Sequence, residues 1–289
     1  MYLECVPCFT RQALQATQFC GGDHAVQERV LRQTLRILDG LEWNGTPVDM
    51  AKAVHGLVRR ETGNRDPYLR IKEESTRQAL EWYTSLAGGN GEPDILPGTA
   101  IRLAVAGNII DYGANASVDV SGTLEKLLAR PFAVSSEEAF LEDLAGADTI
   151  AYLADNAGEI VFDRLLLETV QRTYGPKRTL FVTRREPFIN DALASDAEAA
   201  GVTGLPGVEV AGMHLGSPGA MTDPDDLKLW ERIRSCDVII SKGQANYEGF
   251  SREPGIYFLL VVKCTVIARD LKERTGTDMH INDVILWRS

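Results

Sequence analysis

The sequence predicts a three-layer α/β/α fold with a mainly parallel central sheet, preceded by a helical N-terminal region. Three observations lead there. Residues 1–135 carry apolar side chains that return every three or four positions, the period of a helix with one buried face. After Ala145 short apolar runs alternate with helical patterns, as in βαβ units whose sheet is covered on both faces. Each of those runs ends in a polar segment, where an open α/β sheet places its ligand crevice. The 289 residues, 44% of them hydrophobic, suffice for a sizeable core in one large or two modest domains. We expect a helical region over 1–135 and an α/β core over 136–289.

In chain order, helical periodicity covers FTRQALQATQF, HAVQERVLRQTLRILDGL, VDMAKAVHGLVRRETG, YLRIKEESTRQALEWYTSLAGG and EKLLARPF. Breaks fall at NGTP near Asn44, at GNRDP near Gly63 and at the Gly/Pro-rich GGNGEPDILPG from Gly88. The apolar runs TIAYLA, TLFVT, VEVAG, DVIIS and YFLLVVK are the expected strands, joined by right-handed crossovers.

Charge and composition narrow the function. Thirty Lys and Arg against 41 Asp and Glu give a formal charge of −11, which opposes attraction to a phosphate backbone, so no nucleic-acid partner is expected. The start MYLECVPCFTRQ lacks the basic and apolar regions of a secretory signal, and no run of ~18 apolar residues would span a bilayer. The expected location is the cytoplasm, with no membrane partner, so the glycosylation sequons at Asn44 and Asn115 carry no weight. Five cysteines, an odd number in a long chain, do not suggest a disulfide framework.

The segments after the strands hold the candidate chemistry. TIAYLA is followed by Asp155 and Asn156, then Ala157 and Gly158, which let the backbone turn sharply into a helix. TLFVT leads to RREPFIND, ending in Asn190 and Asp191; VEVAG leads to a loop with His214, Ser217, Pro218 and Gly219. DVIIS leads to Lys242, Gly243, Gln244, Asn246 and Glu248. Two carboxylates and an amide are hard oxygen donors, suited to Mg²⁺ or Mn²⁺, and would leave about half of an octahedral shell open to water and phosphate. Lys242 and the amides of Gly243 and of the helix near Ala157 would meet phosphate oxygens.

Each element also has a plainer reading. Asp155, Asn156 or Asp191 can be a helix N-cap, and Lys242-Gly243 alone is a strand-to-loop transition. There is no GxxxxGK[ST] and no GxGxxG, so neither a P-loop nor a dinucleotide fingerprint is supported.

Taken together, DNAGEIVFD, the ND of FINDA, the PGA loop, SKGQANYEGF, YFLLVVKC, CVPCFTRQA, DPYLRIKE and AGNIIDYG resemble the damage-control phosphatase family, long catalogued as domain of unknown function eighty-nine. The likeness runs in order from about residue 3 to 270 and is strongest to the prokaryotic branch with an N-terminal CxxC. It implies a divalent-metal-dependent phosphatase of small phosphorylated metabolites, such as sugar phosphates or phosphorylated cofactor intermediates and their damaged forms. The implied cation is Mg²⁺, Mn²⁺, Co²⁺ or Ni²⁺, held by Asp155, Asn156 and Asp191, with Lys242 on the phosphate. An upstream family motif falls on Gly107-Asn108-Ile109-Ile110-Asp111, so Asn108 and Asp111 join Lys242, Gly243, Asn246 and Glu248 as expected substrate contacts. Two departures concern substrate contacts rather than the metal: Ala220 stands where relatives commonly carry a hydroxyl, and Ser75 where an Asn is common.

Two mechanisms fit this set: attack by water deprotonated by Asp191 or Asp155, which we favour, or an aspartyl-phosphate intermediate. Glu159 and Asp163, four apart on one helix face, either orient waters or form a solvated acidic face. Cys5, Cys8, Cys20 and His24 have a spacing compatible with one tetrahedral zinc, against the alternative of a reduced thiol pair. Cys236 and Cys264 are expected packing residues. The rival function is a phosphometabolite-binding protein without turnover. A carboxyl methyltransferase is disfavoured because no glycine-rich loop follows the first strand.

Overall fold

A computed structural model describes residues 2–40, 47–87, 94–107, 128–214 and 216–289. Its chain packs as two compact units, Met1–Arg70 with Glu186–Asn190, and Ile71–Arg185 with Asp191–Ser289. Among the described residues no helix is long and apolar enough to cross a membrane.

The first unit is built on α1 (Cys5–Phe19), α2 (His24–Asp39) and α3 (Pro47–Thr62), each of which packs on the other two. Their buried residues keep helical spacing: Phe9, Ala13 and Ala16; Val30, Thr34 and Leu38; Val54, Leu57 and Val58. Asp23 starts α2 by accepting a hydrogen bond from the Val26 amide at 2.9 Å. The returning segment 186–190 is held by Arg59, which donates to the Pro187 carbonyl at 2.7 Å, and by Phe188, whose ring lies 5.3 Å from that of His55.

The four residues whose spacing is compatible with zinc are not gathered here. No three of Cys5, Cys8, Cys20 and His24 bring ligand atoms within 4.8 Å of one another, and no cysteine is in a disulfide. The helical rise explains this. Cys8 lies in the first turn of α1 and Cys20 just past its end, which separates them by roughly 18 Å at ~1.5 Å per residue.

In the second unit, α4 (Leu69–Leu86, from Ile71 onward) and α5 (Pro97–Ala106) precede a seven-stranded sheet. The strands are β1 (Val134–Ser135), β2 (Thr149–Leu153), β3 (Arg178–Arg184), β4 (Val208–Met213), β5 (Val238–Lys242), β6 (Ile256–Val261) and β7 (Val284–Arg288). Between them come α6 (Glu137–Gly146), α7 (Ile160–Tyr174), α8 (Ala194–Ala199), α9 (Pro224–Arg234), α10 (Gly243–Phe250) and α11 (Thr265–Thr275). The order across the sheet is β1-β7-β6-β5-β2-β3-β4, and every pairing is parallel except β6 with β7.

All five expected strands form, and β1 and β7 add to them. β5 and β6 are buried at every residue, as strands covered on both faces must be. Ile150 and Tyr152 of β2 pack in one apolar core with α4, α5, α6 and α7; Ala151 and Leu153 point into the other, with α9, α10 and α11. These are the three layers expected. The compact division falls at residue 70 rather than at the change of texture near 135, because Ala79, Trp82, Tyr83, Ile101 and Leu103 are buried against the sheet.

The chain runs outward from β2 to β3 and β4, then returns to place β5 on the other side of β2. The strand order therefore reverses between β2 and β5, and an open α/β sheet has its crevice at the carboxyl ends of that pair.

Candidate functional site

Asp155 and Asn156 follow β2 at this switch point, and the backbone locks Asp191 beside them. Asn156 and Asp191 form an antiparallel bridge, the Ala192 amide donates to the Asp155 carbonyl at 2.7 Å, and the Arg184 amide donates to the Ala192 carbonyl at 2.8 Å. Asp155 and Asp191 are 5% and 4% exposed, so both carboxylates are largely withdrawn from water. Burial raises both carboxyls above the ordinary range. The charges of Glu159 and Asp191 add to the effect at Asp155, which reaches about 7. At Asp191 the Arg184 guanidinium offsets part of it, donating to Oδ2 at 2.6 Å.

None of the three acts as a helix cap. The residue before α7 is Glu159, without a side-chain cap bond, and the residue before α8 is Leu193, whose amide is bonded by Asp196 at 2.8 Å. The turn between β2 and α7 sits tightly on its neighbours. A Cβ at Gly158 would come 2.7 Å from Ser75 Cβ, and one at Gly107 would come 3.0 Å from a Phe162 ring carbon. Ser75 is thus a close packing neighbour of the turn, with its hydroxyl bonded to the Ile71 carbonyl at 2.7 Å.

The KGQANYEGF segment contributes differently from expectation. Lys242 is fully buried, and its ammonium donates to the Ala104 carbonyl at 2.8 Å, Glu159 Oε1 at 2.6 Å and Asp163 Oδ1 at 2.5 Å. Its three protons are engaged by these three acceptors. Burial lowers the lysine's proton affinity, but the Asp163 and Glu159 charges outweigh it and push the value up to about 12. Asn246 is also buried. It accepts from Arg184 at 2.8 Å and donates to the Ala154 and Lys242 carbonyls, each at 2.9 Å, tying the ends of β2 and β5 together. Glu248 accepts from Gln244 at 3.1 Å and is raised by burial. Gly243, at φ +77°, packs directly on the Asp155 carboxylate.

Glu159 and Asp163 are 1% and 0% exposed, which replaces the solvated acidic face with a buried network around Lys242. Tyr152 completes it by donating to Asp163 Oδ1 at 2.6 Å, while Asp163 Oδ2 is buried without a partner among the described residues. Sequence spacing put the two acids on one face but carried no sign that a lysine from β5 would meet them. Arg184 and Lys263 were likewise missed. Lys263 is exposed just past β6, and its charge acts on both Asp155 and Asp191. Asn108 and Asp111 lie outside the described residues.

His214, after β4, belongs to a separate group. Its Nδ1 lies 2.9 Å from Asp226 Oδ2, and its ligand atoms cluster with those of Asp223 and Asp226 within 4.8 Å. Arg185 pairs with Asp223 at 3.3 Å and Asp226 at 3.2 Å, so a cation already balances this cluster.

The donor set at the switch point fits a hard divalent cation. Asp155, Asn156 and Asp191 offer only oxygen donors, and the carboxylates repel one another in a buried place where a positive ion would relieve the repulsion.

Fold and site together define a doubly wound α/β protein with two buried carboxylates and an amide at its switch point. The chain belongs to the Damage-control phosphatase ARMT1-like domain family, whose pattern matches residues 1–279. It is similar to an uncharacterized protein of Methanocaldococcus jannaschii, 28% identical over 296 residues that cover 99% of this chain and 94% of that one. A damage-control phosphatase of Pyrococcus horikoshii is 28% identical, with 94% of each chain covered. One of Archaeoglobus fulgidus is 29% identical, covering 94% of this chain and 95% of its own. The crystal structure of a Pyrococcus horikoshii protein of the domain-of-unknown-function family 89 superposes with a TM-score of 0.87 at 26% identity, over 100% of this chain and 98% of that one.

Proposed function

We propose that the protein is a divalent-cation-dependent phosphatase that hydrolyses small phosphorylated metabolites, sugar phosphates or phosphorylated cofactor intermediates and their damaged forms. The observation that carries this reading is the Asn156–Asp191 backbone bridge, which sets residues from two separate strand ends side by side. Membership of the family and two relatives named damage-control phosphatases support it.

Asp155, Asn156 and Asp191 would hold the cation, of which Mg²⁺, Mn²⁺, Co²⁺ and Ni²⁺ are the candidates. When bound, it neutralises charge on the phosphoryl group and orients it. The remaining work falls to the chain. Water attacks phosphorus as the P–O bond to the alcohol breaks; the Asp155 or Asp191 carboxylate takes the water's proton and yields it, directly or through solvent, to the departing alkoxide, giving inorganic phosphate and the alcohol. Lys263, exposed beside these acids, supplies positive charge to the incoming phosphate, while Arg184 holds Asp191 in place.

The test is hydrolysis of an aryl phosphate by chelator-stripped protein with each cation restored singly, beside Asp155→Ala and Asp191→Ala. Cation-dependent turnover that disappears in both variants is the expected result. Folded, cation-loaded protein that stays inert on the aryl ester and on a panel of sugar phosphates would overturn the reading in favour of phosphometabolite binding without turnover.

A further inference from the structure

The two ends of an asparagine amide have nearly the same shape, and only their partners decide which one faces a given direction. At Asn156 that choice matters, because only the oxygen end can ligate a cation. Asn156 Nδ2 lies 2.8 Å from Asp155 Oδ2 and 3.1 Å from Glu159 Oε2. An ionised carboxylate accepts hydrogen bonds and cannot donate them. The Nδ2 end therefore faces both carboxyl groups, and Oδ1, which accepts no hydrogen bond among the described residues, is turned away from them.

Glu159 joins this amide to the buried lysine. It stands immediately before α7 but makes no side-chain cap bond, and it is 1% exposed. A carboxylate so deeply buried needs a compensating charge. Lys242 supplies it at 2.6 Å and is itself held by the Ala104 carbonyl and by Asp163. Since Lys242 ends β5 and Asn156 follows β2, the series Lys242–Glu159–Asn156 links the two strands that flank the switch point.

We propose that Glu159 and Lys242 are positioning residues that fix the Asn156 amide with its oxygen toward the cation, and that Lys242 acts through this series rather than by touching phosphate. The inference rests on the cation-site reading above. Groups that orient ligands from behind are commonly worth 10–100-fold in metal affinity.

The experiment is a calorimetric titration of chelator-stripped protein with Mn²⁺ alone. Glu159→Gln, which can donate as well as accept, leaves Asp155 alone to hold the amide and is expected to weaken binding 10–100-fold. Turnover should fall at low Mn²⁺ and recover at saturating Mn²⁺. Loss of charge alone would also weaken binding, so the decisive comparison is made in an Asn156→Asp background, where both side-chain oxygens are equivalent and orientation no longer matters. There Glu159→Gln should change affinity less than about 3-fold on the same reasoning. An equal loss in both backgrounds would show a mere charge effect and overturn the proposal, as would unchanged affinity in Glu159→Gln. Lys242→Met is expected to weaken Mn²⁺ binding in the same direction, and Glu159→Gln carries the test if that variant does not fold. A parent protein that binds no Mn²⁺ would remove the cation-site reading and this inference together, whereas a parent that binds it alongside an unaffected Glu159→Gln would remove only the inference.

Discussion

Gly243 lies so close to Asp155 that a Cβ on the glycine would sit 2.0 Å from the Asp155 Oδ2 atom. The end of β5 thus forms one wall of the carboxylate's place, and only a residue without a side chain can stand there. The backbone adds a second constraint, since φ at Gly243 is +77°, a region L-residues rarely adopt. Gly243→Ala must displace Asp155 or the start of α10. The expected outcome is at least a ~100-fold loss of phosphatase activity, as a misplacement of about 1 Å produces. Melting should show a destabilisation of about 1–3 kcal/mol. Near-parental activity in a correctly folded variant would contradict this.

Asn246 makes three buried hydrogen bonds with its one amide, to Arg184 and to the carbonyls of Ala154 and Lys242. Asn246→Ala leaves those groups unsatisfied in the interior. We expect a loss of about 2–4 kcal/mol in urea unfolding, with Asn246→Asp also destabilised because a carboxylate cannot donate to the two carbonyls. A loss below about 0.5 kcal/mol, the size of an ordinary surface change, would show that these bonds contribute little.

His55 should make the protein sensitive to mild acid. It is 3% exposed, between Tyr68 and Phe188, and burial, with a smaller contribution from Arg59, lowers its imidazole from 6.5 to about 4. The unfolded chain then takes up the proton first. Stability is unaffected by this group above pH 6.5 and falls as pH drops from 6.5 toward 4, by up to about 1.4 kcal/mol per pH unit. His55→Gln should flatten that part of the stability profile. An identical slope in parent and variant would assign the acid sensitivity elsewhere.

Removal of metal should leave the N-terminal helices intact. Cys5, Cys8, Cys20 and His24 are not gathered into a ligand cluster. We expect chelator-stripped protein to keep the circular dichroism of its helices, and Cys20→Ser to leave the metal content of the purified protein unchanged. One equivalent of zinc lost on Cys20→Ser, with loss of helicity, would reverse this conclusion.

Much of the fold follows from local pattern. A 3.6-residue period over 9–19 and 24–41 fits a helix with one buried face, and short apolar runs such as VII in DVIIS and FLLVV in YFLLVVK suit strands covered on both sides. The polar residues after those strands were legible as a site for the same reason, since Asp155, Asn156 and Asp191 need only the strand ends to be known. The last strand, in VILWR, escaped notice because five residues at the end of the chain offer too little pattern to separate from a loop.

The sequence by itself determined the α/β class, the strand ends and the oxygen-donor character of the crevice, because these depend on side-chain type and short spacing. Only the tertiary structure decided where Lys242 points, that Glu159 and Asp163 are buried, and that Arg184 grips Asp191. A lysine after a strand can turn to water or to the interior with equal local sense. What turns this one inward is a pair of acids 83 and 79 residues earlier in the chain, and a compensating charge at that distance is set by the order of strands in the sheet.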